Sequence, residues 1–224
     1  MLESKEEKTI FDHARDYLSN DFSPIALCSL KLLENGCMTK EYFDEMESVI
    51  LENLKSENPL TTEEMVHKSN IKGCKLPIIH WEKYLESKPT EEEVRMWFDE
   101  ERPTANIGLM TGRHHNLLVF DVEDQKAHEY AESKGGFPIT PVVITNKGLH
   151  YYFKCPTDYC QSITDERLGI KVLGDGGYVV APPSINSLGK KYQWKPGQSI
   201  YEVELAECNS WMLELLKEHQ EKRP

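Results

Sequence analysis

LLVFDVED, residues 117–124, sets four apolar residues directly before an acidic pair. An unbroken apolar run of this kind predicts a strand buried on both faces that emerges at its carboxyl end. Side chains alternate faces along a strand, so Asp121 and Glu123 point the same way while Val122 turns into the core. Two carboxylates side by side in a partly buried place repel each other, and a divalent cation is the simplest means of keeping both ionised. Magnesium or manganese suits oxygen ligands that leave room for a phosphate. The competing reading, in which Asp121 merely caps the next turn, would win for an isolated D-x-E. The apolar run before it favours the metal.

Outward from this strand, apolar runs predict further strands at 107–110, 142–144, 149–153, 170–173 and 178–181, with a helix over QKAHEYAESKGG (125–136) that its glycines end. In NKGLHYYFK, His150 lies on the face opposite Leu149, and Gly148 permits close approach of backbone and ligand. His150 is either a satisfied core histidine or a donor to a triphosphate. GIKVLGDGGYVVAPPS (169–184) reads as a hairpin around Asp175, stopped by Pro182 and Pro183.

Upstream, TIFDHARDYLS (9–19) reads as a helix and FSPIALCSL (22–30) as a strand. From about 31 to 69 the chain turns acidic and helical, with Tyr42, Met46, Val49, Ile50 and Leu54 along one face; an amphipathic helix covering its own domain is the simplest account. Thr61 with Glu64, and Thr90 with Glu93, have the spacing of capping boxes. The tail SWMLELLKEHQ (210–220) closes the chain as a helix with Ser210 as its cap.

Composition narrows the class. No run reaches the roughly 18 apolar residues of a membrane span, and the start MLESKEEKTI lacks the apolar core of a secretion signal, so a cytoplasmic protein with no membrane partner is expected. The six cysteines (28, 37, 74, 155, 160, 208) are scattered, which predicts thiols rather than a disulfide framework; Cys155 and Cys160 lack the second pair that zinc would need. With 26 basic against 38 acidic residues the formal charge is −12, which counts against strong nucleic-acid binding unless divalent cations invert the local field.

Five segments taken in order resemble the bifunctional primase-polymerase (prim-pol) domain of the archaeo-eukaryotic primase superfamily: ARDYLSNDFSPIALC, KLPIIHWEKYLESKPTEEEVRMWF, NIGLMTGRHHNLLVFDVED, TNKGLHYYF and GDGGYVVAPPSINSLGKKYQW. The resemblance implies an α/β (α+β) fold, an RRM-like catalytic sheet with flanking helices plus a smaller N-terminal α/β subdomain. It makes residues 1–224 one prim-pol domain with a helical insertion at 31–69. It implies a template-dependent DNA primase or polymerase that uses two divalent metals in replication of a plasmid, virus or mobile element. Its partners would be a DNA template and primer, nucleoside triphosphates, and a helicase in the same or another chain, since no Walker-type motif occurs here. Asp121 and Glu123 correspond to the metal ligands, and His150 to the histidine that contacts the incoming nucleotide.

One position departs from the pattern: Lys171 stands in GIKVL where the family has an acid, and Asp175 is the candidate to replace that acid as a metal ligand. Thr111 and Gly112 form a loop whose amides suit phosphates, and Arg113 either joins them or is solvated. Ser184 and Lys191 flank the site in the resemblance, and His114 and His115 are expected to face solvent. Two rival readings stand beside the enzyme. One is a catalytically impaired nucleic-acid or nucleotide-binding module on the same fold; the other is a metal-dependent phosphodiesterase.

Overall fold

A computed structural model describes residues 8–36, 39–56, 58–98 and 104–221. The chain starts with α1 (Ile10–Ser19), whose first turn is closed by a capping box between Thr9 and Asp12, and continues into β1 (Pro24–Leu27). Three helices follow, α2 (Leu30–Glu34), α3 (Lys40–Leu54) and α4 (Thr62–Gly73). The capping box of Thr61 and Glu64 forms as its spacing predicts. In α3, Tyr42 and Val49 are buried, but Ile50 and Leu54 of the expected apolar face are exposed. Next come α5 (Glu91–Phe98), capped by Thr90 with Glu93, then β2 (Asn106–Met110) and β3 (Leu118–Val122).

The remaining elements are α6 (Gln125–Ser133), β4 (Val142–Ile144), β5 (Leu149–Phe153), β6 (Ile163–Asp165), β7 (Ile170–Leu173), β8 (Tyr178–Ala181), β9 (Gln193–Trp194) and α7 (Ser210–Glu221). Periodicity marks all of these but β6 and β9, which are too short to carry a pattern of their own. Asn209 rather than Ser210 starts α7: its side chain lies 3.5 Å from the Met212 amide and its carbonyl accepts from the Leu213 amide.

The strands form two antiparallel sheets. One has the order β1-β2-β8 and the other β6-β7-β3-β5-β4-β9. In the larger sheet the four strands β3, β4, β5 and β7, numbered one to four along the chain, stand in the order 4-1-3-2, that of an RRM-like sheet. The helix normally found between the third and fourth of them is replaced by a loop and β6. The fold is α+β, as expected. The smaller sheet is not wholly N-terminal, because it recruits β8 from the far end of the chain.

That recruitment overturns the hairpin expected at 169–184. β7 pairs with β3 and β8 with β2, so the glycine turn carries the chain from one sheet to the other. The loop between β2 and β3 makes the same passage, and the two crossings are tied together. The Thr111 amide donates to the Gly177 carbonyl and its hydroxyl to the Gly174 carbonyl, at 3.0 and 2.7 Å.

β3 is buried on both faces, as its sequence predicts. Leu118, Phe120 and Val122 belong to one apolar cluster with Ala127 and Ala131 of α6 and Trp211, Met212, Leu215 and Leu216 of α7. Val119 on the other face joins Tyr152 and Val143 in the cluster that holds the smaller sheet, α1 and α5. Fully burying side chains of this size is worth about 1.5–3 kcal/mol each, which anchors β3 on both faces.

Cys155 and Cys160 are paired as a disulfide, against the expectation of thiols; the loop that replaces the missing helix turns back and brings them together. Cys74 and Cys208 are buried thiols, and Cys37 lies outside the described residues. No helix among the described residues is long and apolar enough to cross a membrane.

Candidate active site

The site grows from the end of β3. Asp121 faces the same side as Val119 and is paired across the ladder with His150 on β5 and with Lys171 on β7. A cross-strand row therefore runs Lys171, Asp121, His150 on one face of the sheet. Glu123 follows two residues after Asp121 on the same face, and its carboxylate lies 3.7 Å from Lys147 Nζ in the β4–β5 turn. That turn is shaped by Thr145, whose hydroxyl accepts from the Lys147 and Gly148 amides. Gly148 is required there, since a Cβ would lie 2.0 Å from the Val122 carbonyl oxygen and 2.7 Å from Glu123 Cα. The close approach that this glycine permits is to the backbone at the end of the neighbouring strand β3.

Asp121, Glu123, His150, Thr145, Asn146 and Lys147 line one cavity with Ile71 and Lys75 from the end of α4, and with Asn186, Ser187, Leu188 and Tyr192 from the loop before β9. Its volume is about 90 Å³, against roughly 300–1,000 Å³ for a typical small-molecule pocket, so it takes the reacting end of a ligand and leaves the rest outside.

Electrostatics separate the groups. Burial raises the Asp121 carboxyl above its ordinary pKa, opposed by the fields of Lys171, Lys75 and Lys147. Burial drives His150 down to about 3, so the imidazole is neutral at neutral pH. Its Nε2 stands 3.4 Å from Asp121 Oδ1, a contact between a carboxylate and a neutral ring rather than an ion pair. Asp121 Oδ1 and His150 Nδ1 are both buried without a hydrogen-bond partner. The ring of Tyr192 backs the imidazole at 6.1 Å, and its hydroxyl is pushed up to about 12, by burial first and then by the two carboxylates.

A buried carboxylate oxygen with no partner, beside a second carboxylate, fits one divalent cation of the magnesium or manganese type. Among the described residues no three or more His, Cys, Asp or Glu side chains converge to hold a metal, so the two carboxylates offer a cation two side chains and leave the rest of its shell to water or a ligand. Lys171 occupies the position across from Asp121, and Asp175 does not compensate. Asp175 lies four residues past Lys171 towards the opposite end of β3, roughly 13 Å away at ~3.3 Å per residue. There it accepts from the Arg113 amide at 2.8 Å and pairs with the Arg113 guanidinium at 2.7 Å. Gly112 packs on it, with φ of +108° and no space for a side chain.

The set Thr111, Gly112, Arg113 and Asp175 thus clamps the two crossings between sheets, and it sits apart from the cavity that holds His150. Ser184 is buried against β2, its hydroxyl accepting from the Ile107 amide, and Lys191 lines a different cavity with His13. His115 is buried, contrary to expectation, with Nδ1 2.8 Å from Ser23 Oγ. Lys75, Lys147, Asn186 and Tyr192 escaped sequence reasoning because each reaches the cavity from a loop or helix end, where periodicity carries no signal.

A family model described as bifunctional DNA primase/polymerase, N-terminal, matches residues 41–211, most of the chain. This chain belongs to the prim-pol family. The match begins at the start of α3 and ends in the first turn of α7, so it covers every residue that lines the cavity and residues 41–69 of the helical segment that sequence reading sets apart. Membership implies a nucleotidyltransferase-type enzyme that acts on DNA and nucleotides. No curated protein matches this prim-pol chain significantly.

Proposed function

We propose that this prim-pol domain is a template-dependent nucleotidyltransferase, a DNA primase, polymerase or both, with magnesium or manganese held by Asp121 and Glu123. The observation that carries the reading is the convergence of two carboxylates, one with a buried oxygen lacking any partner, and a neutral imidazole in a single cavity at the end of the central strand. Asp121 and Glu123 would hold the cation, which would supply Lewis-acid chemistry to an attacking sugar hydroxyl and to the phosphates.

The chain's own residues contribute position and charge. Asp121 is carried by a strand buried on both faces, which sets its position before any ligand arrives, and Glu123 follows directly after the strand's end. His150, being neutral, offers one N–H donor and one lone pair; it donates to a phosphate oxygen of the incoming nucleotide without adding a charge that would repel the cation. The setting is replication of a plasmid, virus or mobile element, with template and primer DNA, nucleoside triphosphates and a helicase in the same or another chain as partners.

Lys171 beside Asp121 favours a second reading, a catalytically impaired module that binds nucleic acid or nucleotide on the same fold. Primer synthesis and extension with Mn²⁺ separate the two. Product from the wild-type chain that falls about a hundredfold or more in Asp121→Ala, with the circular-dichroism melt retained, is the expected result. Nucleotide or oligonucleotide binding with no product from the wild-type chain would leave only the module.

A further inference from the structure

Three lysines from three separate elements surround the carboxylate pair. Lys75 follows the last turn of α4 and lines the cavity; Lys147 comes from the β4–β5 turn, 3.7 Å from Glu123; Lys171 stands directly across the ladder from Asp121. All three are exposed, and all three act electrostatically on Asp121, with Lys171 the strongest. Three ammonium groups against two carboxylates leave one excess positive charge in the site, although the whole chain carries −12.

A site that held only divalent cations would gain nothing from this arrangement, because every ammonium repels the cation it stands beside. Lysine is, however, a natural point-charge partner for phosphate. The unpartnered imidazole nitrogen of His150, buried in the same cavity, also calls for a ligand beyond a metal ion.

We propose that Lys75, Lys147 and Lys171 form a cradle for the triphosphate of the incoming nucleotide and supply the positive charge of a second divalent cation, so that the site works with a single cation at Asp121 and Glu123. The proposal rests on the nucleotidyltransferase reading and goes beyond it by naming the phosphate ligands and the number of cations. It also gives the helical segment a function, since Lys75 is delivered by its last helix.

Isothermal titration calorimetry with ATP, AMP and adenosine, in EDTA, tests the cradle. ATP is expected to bind without metal and more tightly than AMP, with adenosine weakest. Lys75→Ala, Lys147→Ala and Lys171→Ala should each weaken ATP by about tenfold, one charge-assisted contact, and change AMP less. Electron paramagnetic resonance of Mn²⁺ without nucleotide should count one ion per chain, rising to two in Lys171→Asp. All three lysines are exposed, and unchanged melts would verify that the variants fold. ATP binding in EDTA that is absent, or that survives all three substitutions, overturns the cradle alone. Two Mn²⁺ ions on the wild-type chain overturn the single-cation assignment while the enzyme reading stands. No Mn²⁺ on the wild-type chain, or equal binding by Asp121→Ala, overturns the metal reading of the proposed function and the cation count with it.

Discussion

At the scale of single residues, burial governs which groups carry charge. His115 is enclosed between Ser23 and the Leu85 carbonyl, and desolvation pushes its pKa below the ordinary histidine value, against that carbonyl contact. Between the folded value and about 6.5 the unfolded chain binds the proton more readily, so stability falls as pH drops through that window. In His115→Gln the hydrogen bonding is impaired, costing about 1 kcal/mol at pH 7, but the titration is gone. Thermal melts at pH 7, 6 and 5 should therefore show the wild-type advantage shrinking towards low pH; a constant or widening gap would contradict this account. The same principle separates what could be read at the site from what could not. Asp121 and Glu123 share a face because of strand alternation, a property of neighbours in sequence, whereas the neutrality of His150 comes from surroundings that no local pattern describes.

At the scale of elements, the two crossings between the sheets account for the residues that sequence reading had assigned to phosphate and metal. Each of β2–β3 and β7–β8 looked like a local connection, whereas each carries the chain from one sheet to the other. Because β7 runs antiparallel to β3, the turn that follows it lies at the start of β3, and Arg113 neutralises Asp175 there. Asp175→Ala is expected to lower the melting temperature modestly and to leave Mn²⁺ binding by electron paramagnetic resonance unchanged. Loss of Mn²⁺ from that variant would restore Asp175 to the metal site. The capping boxes of α4 and α5 were legible in advance, because a cap and its partner three residues on are local in sequence. Missing from that reading was the arrival of Lys75 from the end of α4 at the cavity.

At the scale of the whole molecule, acids outnumber bases. With 26 basic and 38 acidic residues, few lysines or arginines are available to track a nucleic-acid backbone. Binding of a single-stranded oligonucleotide, followed by fluorescence anisotropy in Mg²⁺ against increasing KCl, should give a log–log slope of magnitude below about 3, since each phosphate contact on a single strand contributes ~0.7. A slope steeper than about 5 would reveal a basic surface that the charge balance does not anticipate.

The sequence by itself determined where most of the strands and helices lie, two of the capping boxes, and that Asp121 and Glu123 emerge together at the end of a doubly buried strand. These follow from spacings of two, three and four residues, which are local in the chain. Tertiary structure alone decided the neighbours. It set His150 and Lys171 on either side of Asp121, brought Lys75 and Lys147 to the same cavity, and carried Asp175 to the other end of β3. Pairing between distant strands is chosen by how two apolar clusters and two sheets close around each other, and no spacing within one segment records that choice.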